Sequence, residues 1–296
     1  MRYRISVTIS YDYQFPSDHA RNVLHLLPIS VPGEQTVMSA DLNIGPNPQE
    51  RWDSIDFFGN RATWISHHDP VQEIDFSLLA EVERDVVPLS FDISPDIAQL
   101  RWELRDRPHI GPQAPHHFLG TSARIQPNTA MTRYAQDAVR SASSVLQIVE
   151  AFGHALYQDM TFDPRATDAL TPPLAAFEKR RGVCQDYAHI MIAGLRGMGI
   201  PAGYVSGFLR TTPPPGKPRL AGVDAMHAWV RAWCGSQIGW IEFDPTNDVF
   251  AQNDHITLGY GRDYADVAPV RGSMRSSGGQ TSHQVVDVEP QFSFVG

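Results

Sequence analysis

Apolar and polar positions alternate from the start of the chain. Tyr3, Ile5, Val7, Ile9 and Tyr11 fall on one side, and Arg4, Ser6, Thr8 and Ser10 on the other. A period of two is that of a strand with one face buried. The stretch RWDSIDFFGNRATWISHH (residues 51–68) reads as two short strands about the turn signal Gly59-Asn60. Alternation returns through Ile74, Phe76, Leu78 and Ala80. Residues 1 to about 90 are therefore expected to form a β-rich, sandwich-like domain.

Between Ser94 and Gln126 the pattern changes to a short helical segment and then a Pro-, Gly- and His-containing connection, DRPHIGPQAPHHF. The expected divisions are 1–115 for the β-rich domain with its connecting segment, 116–272 for a second domain, and 273–296 for a tail. From Ser141, a candidate cap, the period becomes helical: Val145, Ile148, Val149, Phe152 and Leu156 lie on one face. A further helix follows Cys184 and is stopped by Gly199 and Pro201. AGYVSGFL (202–209), MHAWVRAW (226–233) and GWIEFDP (239–245) read as strands, TTPPPGKPR (211–219) as a loop, and HQVVDVEP (283–290) as one strand within the Gly/Ser-rich tail.

Charge narrows the partners. With 24 Lys+Arg against 33 Asp+Glu, the formal net charge of -9 has the wrong sign for gripping phosphate backbones, so no nucleic-acid partner is expected. No apolar run reaches the roughly 18 residues of a membrane span, and the N-terminus lacks the apolar stretch of a signal peptide. A cytoplasmic protein without a membrane partner is expected. Two cysteines in 296 residues make no disulfide framework and fit a reducing compartment.

One of them, Cys184, follows Gly182-Val183 at a helix start. A thiol attacks acyl carbons as its thiolate, which a helix N-terminus and a neighbouring imidazolium both favour. If MHAWVRAW and GWIEFDP form a hairpin centred near Gly235-Ser236, His227 lies directly opposite Asp244 on one face. Asp244 would then hold one ring nitrogen while the other faces Cys184.

Three blocks carry a resemblance: GVCQDYAHIMIAGLRGMGIPAGYVSGFL (182–209), MHAWVRAWCGSQIGWIEFDPTND (226–248) and HITLGYGRDYADVAPVRG (255–272). In this order they resemble the successive motifs of bacterial transglutaminase-like proteins, a cysteine-protease branch of the papain-like thiol superfamily. The likeness covers roughly residues 155–272, and the β-rich first hundred residues resemble the domain preceding it in many members. It implies an α+β fold: the N-terminal β-rich domain, then a papain-like core whose Cys-bearing helix packs on an antiparallel sheet. It also implies Cys184 as nucleophile, His227 as base and Asp244 as orienting acid, with no cofactor. Met226 departs from the Ser or Gly that many relatives have before the histidine. The implied activity is thiol-dependent hydrolysis of a protein or peptide amide through a thioester. The alternatives are protein-glutamine transglutamination with an amine acceptor, and a binding or scaffold protein that keeps the fold without activity. Neither the substrate nor the oligomeric state is legible.

Other candidates read as structural. Cys234 falls at the hairpin turn. His189 is five residues from Cys184, about 140° around a helix, and with Asp186 reads as structural. His67, His68, His116 and His117 lack the spacing of a metal site and are expected at the surface. Gly261–Pro269 is expected to lock a C-terminal loop by hydrogen bonds, and Trp229, Trp233 and Trp240 to serve as core or groove wall. Tyr157 is one upstream aromatic that could donate to an oxyanion.

Overall fold

The alternating segments pair into two sheets that share one core. The fold is described from a computed structural model over residues 1–17, 19–106, 109–211, 224–274 and 278–291. The N-terminal strands are β1 (Arg2–Ser17), β2 (Ala20–Leu24), β3 (Gln35–Gly45), β4 (Glu50–Ile55), β5 (Arg61–His67) and β6 (Val71–Arg84). Helices come next: α1 (Ile97–Arg105), α2 (Thr129–Ala138) and α3 (Val145–Asp159). The chain continues through β7 (Thr161–Phe162), α4 (Pro173–Lys179), β8 (Arg181–Gly182) and α5 (Cys184–Gly197). Last come β9 (Ala202–Leu209), β10 (Ala225–Trp233), β11 (Trp240–Asp244), β12 (Val249–Phe250), β13 (His255–Gly261), α6 (Tyr264–Val267), β14 (Val270–Met274) and β15 (Gln280–Gln291).

Two four-stranded sheets, β15-β1-β6-β3 and β14-β2-β5-β4, form the N-terminal sandwich. Tyr3, Ile5, Val7 and Ile9 are no more than 4% exposed and pack with Leu24 and Ile65 of the other sheet. Each such burial is worth about 1.5–3 kcal/mol, which is what fixes the register of β1. The C-terminal segment is part of this sandwich: β14 pairs with β2, and β15, which contains the strand expected in the tail, pairs with β1 along twelve residues. The expected Pro-rich loop 211–219 lies outside the described residues from position 212 onward.

The second core is α+β, as the sequence implies. Its sheet has the order β12-β11-β10-β9-β13, all antiparallel. Against it lies α5, buried on every side from Gln185 to Arg196, the signature of a central helix. Ala188, Ile192 and Leu195 share a cluster with Phe152 of α3, Met131 of α2 and Ala228 and Val230 of β10. Even Arg196 is 9% exposed, its guanidinium donating to the carbonyls of Ala202, Gly120 and Arg262. The α3 cap is Ser144 rather than Ser141, its hydroxyl accepting from the Gln147 N–H; Ser141 falls a turn too early, between α2 and α3. The sequence pattern did not indicate α2.

The free edge of β13 is covered by the sandwich. The Gln35 amide donates to the Thr257 carbonyl at 2.7 Å and accepts from its N–H at 2.9 Å. The Asn60 amide does the same at Tyr260, with both distances 2.7 Å. A side-chain amide presents one donor and one acceptor as a peptide unit does, so each stands in for a missing neighbouring strand.

Candidate active site

Cys184 is the first residue of α5 and is half-buried. The parallel β7–β8 pairing delivers the chain to it, Phe162 facing Gly182. The N-terminus is then fixed by Asp186, whose carboxylate accepts the Val183 N–H at 2.8 Å and the Thr167 hydroxyl at 2.6 Å. A Cβ at position 182 would overlap that carboxylate, so only glycine lets the turn close. The Cys184 sulfur is thereby presented at the helix end where unpaired N–H groups and the positive pole of the dipole converge.

His227 approaches from β10 and Asp244 from the end of β11. The hairpin register differs from the expected one: Val230 pairs with Phe243 and Trp233 with Trp240, centring the turn one residue later. Gly235 and Gly239, both at positive φ, set this longer turn. The two-residue displacement preserves the face, because the side-chain period of a strand is two. His227 and Asp244 are therefore diagonal rather than opposite, and the His227 Nε2 still lies 2.7 Å from Asp244 Oδ2. With Nε2 engaged, Nδ1 is the nitrogen left for the thiol, and Cys184 lies near enough to act on the charge of the ring.

Asp244 is 0% exposed. Its Oδ2 accepts from His227, from the Asn247 amide at 2.7 Å and from His255 Nε2 at 3.1 Å, and its Oδ1 from the Thr246 N–H at 2.9 Å. Burial works against the charge, but the two histidines hold the carboxyl well below the usual carboxylate range. Burial likewise disfavours the His227 imidazolium, yet the Cys184 and Asp244 charges and their hydrogen bonds outweigh it and push the ring up to about 10. The charged form of the ring is thus favoured beside the buried carboxylate and the helix-terminal thiol. Sequence reasoning missed Asn247 and His255; the only sequence signal for either was its place inside a motif block.

The remaining candidates sort by contact. Cys234 is fully buried, and burial pushes its thiol up to about 12, so it is inert beside Cys184. Burial lowers His189 to about 3, and its Nε2 accepts from the Tyr264 N–H. Met226 packs toward the sandwich core and Trp229 is 0% exposed, whereas Tyr157 is 46% exposed. Asp263 caps α6 and Asp266 binds Arg262, the locking expected of that segment. His116 and His117 bond backbone carbonyls near the surface. His67 corrects the surface expectation: it is 1% exposed, drawn inward at the end of β5 by the Pro46 carbonyl 2.9 Å from its Nε2. His227, Asp244 and His255 are ligand types for a metal, their atoms lying within 4.8 Å of one another. Those same atoms are already joined to each other by hydrogen bonds, an arrangement that suits proton holding.

Residues 132–245 match the Transglutaminase-like superfamily, and residues 3–83 match the Bacterial transglutaminase-like N-terminal region. An uncharacterized protein of Mycobacterium tuberculosis H37Rv is 31% identical over 290 residues, covering 97% of this chain and 88% of that protein. The chain belongs to the transglutaminase-like superfamily. A crystal structure named as a "Putative Cysteine Protease" from Cytophaga hutchinsonii superposes with a TM-score of 0.73 at 22% identity, covering 99% of this chain and 92% of that one, and so shares its fold. A protein-glutamine gamma-glutamyltransferase of Pseudomonas aeruginosa is 36% identical over 106 residues, which is 36% of this chain and 16% of that protein.

Proposed function

We propose that the protein is a thiol-dependent amide hydrolase acting through Cys184, His227 and Asp244. The observation that carries this reading is the His227 ring, bonded to buried Asp244 at 2.7 Å on Nε2 and close enough to the helix-terminal thiol for the two to act on each other's charge. In the reactive form the proton is on His227 and the charge on Cys184. The thiolate adds to the amide carbon, and the oxyanion meets the Cys184 N–H at the start of α5. Collapse breaks the C–N bond as His227 gives its proton to the departing amine, leaving a thioester on Cys184. Water, deprotonated by His227, then adds to the thioester; the acid leaves and the thiolate–imidazolium pair returns.

The partial exposure of Cys184 favours water as the second nucleophile, since the thioester would form where solvent reaches it. A second reading has an amine in that role, giving transamidation; the likeness to the gamma-glutamyltransferase supports it. Both share one acyl-enzyme and part only at its breakdown. The test is to find an accepted acyl donor in a peptide amide library and analyse products with a primary amine present at millimolar concentration. Hydrolysis gives mainly free acid, lost in Cys184→Ala. Predominant amine adduct would replace it by transamidation, and no turnover across the library would favour a binding protein that keeps the fold.

A further inference from the structure

We infer that His255 is a positioning residue of this site, a second histidine that holds the Asp244 carboxylate aimed at His227. The inference rests on the reading of Asp244 as the partner of a catalytic His227. His255 opens β13 and is 4% exposed. Its Nδ1 accepts the Gln252 backbone N–H at 3.3 Å, and its Nε2 faces Asp244 Oδ2 at 3.1 Å. An imidazole that accepts on Nδ1 carries its proton on Nε2, so His255 is a donor to Asp244 in the one tautomer its surroundings allow. The edge-to-face packing of Trp229 on His255, 5.1 Å between centroids, fixes the plane of the ring.

The turn that supplies the Gln252 N–H is itself gripped by the N-terminal sandwich. The Tyr3 hydroxyl donates to Asp254 at 2.9 Å, the Val86 N–H to the Asn253 side chain at 2.8 Å, and the Arg84 Nε to the Gln252 carbonyl at 3.4 Å. The sandwich thus holds the turn, the turn sets the His255 tautomer, and His255 holds the acid. A buried carboxylate whose oxygen loses a donor is a weaker and less directed acceptor for the next one. His255 touches neither the thiol nor the reacting atoms.

The experiment measures iodoacetamide labelling of Cys184 at pH 6 in the full chain, by mass spectrometry, for wild type, H255F, H255Q and H227A. H255F should slow labelling on the order of 10-fold, the equivalent of one lost charge-assisted hydrogen bond. H255Q, whose amide N–H can reach Oδ2, should recover most of the rate. A merely structural role predicts instead that both variants lose thermal stability without this difference in labelling. Wild-type labelling in folded H255F, or a folded H255Q as slow as H255F, would overturn the inference. H227A separates the two readings: if it alone slows labelling, His255 has no positioning role, and if it too leaves the rate unchanged, the triad itself is wrong. Should H255F not fold, nitrogen-15 NMR of wild-type imidazoles decides, a proton on Nε2 of His255 supporting the inference and one on Nδ1 overturning it.

Discussion

Replacing Asp244 by asparagine exchanges one carboxylate oxygen for an NH2 group in a pocket already crowded with donors. An asparagine must put its amide nitrogen at either Oδ1 or Oδ2. At Oδ2 it would face three donors, from His227, His255 and Asn247; at Oδ1 it faces only the Thr246 N–H. The oxygen therefore stays at Oδ2, and the part-buried Thr246 N–H loses its acceptor at a cost of roughly 1–3 kcal/mol. The His227 bond also falls from charge-assisted to ordinary strength, a further ~1 kcal/mol. D244N should thus lose roughly 2–4 kcal/mol of stability at pH 7 and still fold. The loss must shrink in acid: a carboxyl depressed in the folded state contributes stability above its unfolded value of about 4, and that contribution disappears as pH falls through the folded one. On chemistry the effect is larger. The equivalent change in the serine triad costs about 10⁴ in turnover, so a fall of roughly 10²–10⁴ is expected here. Urea unfolding at pH 7 and pH 3.5, with turnover of an accepted amide by folded protein, checks both. Wild-type turnover in folded D244N would remove Asp244 from the mechanism, and an equal stability loss at both pH values would refute the electrostatic account of its burial.

Two further outcomes are expected. His189, held down at about 3 by burial, binds no proton in the folded state at a pH where the unfolded chain does, so between pH 6 and 4 it makes stability fall with acid by up to about 1.4 kcal/mol per pH unit; urea unfolding of H189Q should show a shallower slope over that window, and an unchanged slope would contradict it. In G182A the new methyl group collides with the Asp186 carboxylate that anchors Val183, so a loss of roughly 1–3 kcal/mol in thermal unfolding and slower labelling of Cys184 are expected, and wild-type values for both would show that the turn has slack.

What could be read from the sequence was what local periodicity encodes. AGYVSGFL is β9 with the same ends, and alternation placed β1 and β6 because each has one face on a core. The hairpin of His227 and Asp244 was legible in its face but not in its register: the parity of a strand survives a miscounted turn, whereas the pairing of particular residues does not. Contacts across long stretches of chain left no local trace. The amides of Gln35 and Asn60 that close the edge of β13, and His255 behind Asp244, depend on groups brought together only by the finished fold. His67 shows the reverse: a polar residue at a strand end reads as surface until a distant carbonyl draws it inward.

The central claim, that Cys184 is a nucleophile activated by His227, is tested most directly by the reaction of the two thiols in one folded chain. At pH 6, iodoacetamide should modify Cys184 far faster than fully buried Cys234 and faster than free cysteine, and H227A should abolish the advantage over free cysteine. Labelling of Cys184 at or below the free-cysteine rate, unaffected by H227A, would contradict the account.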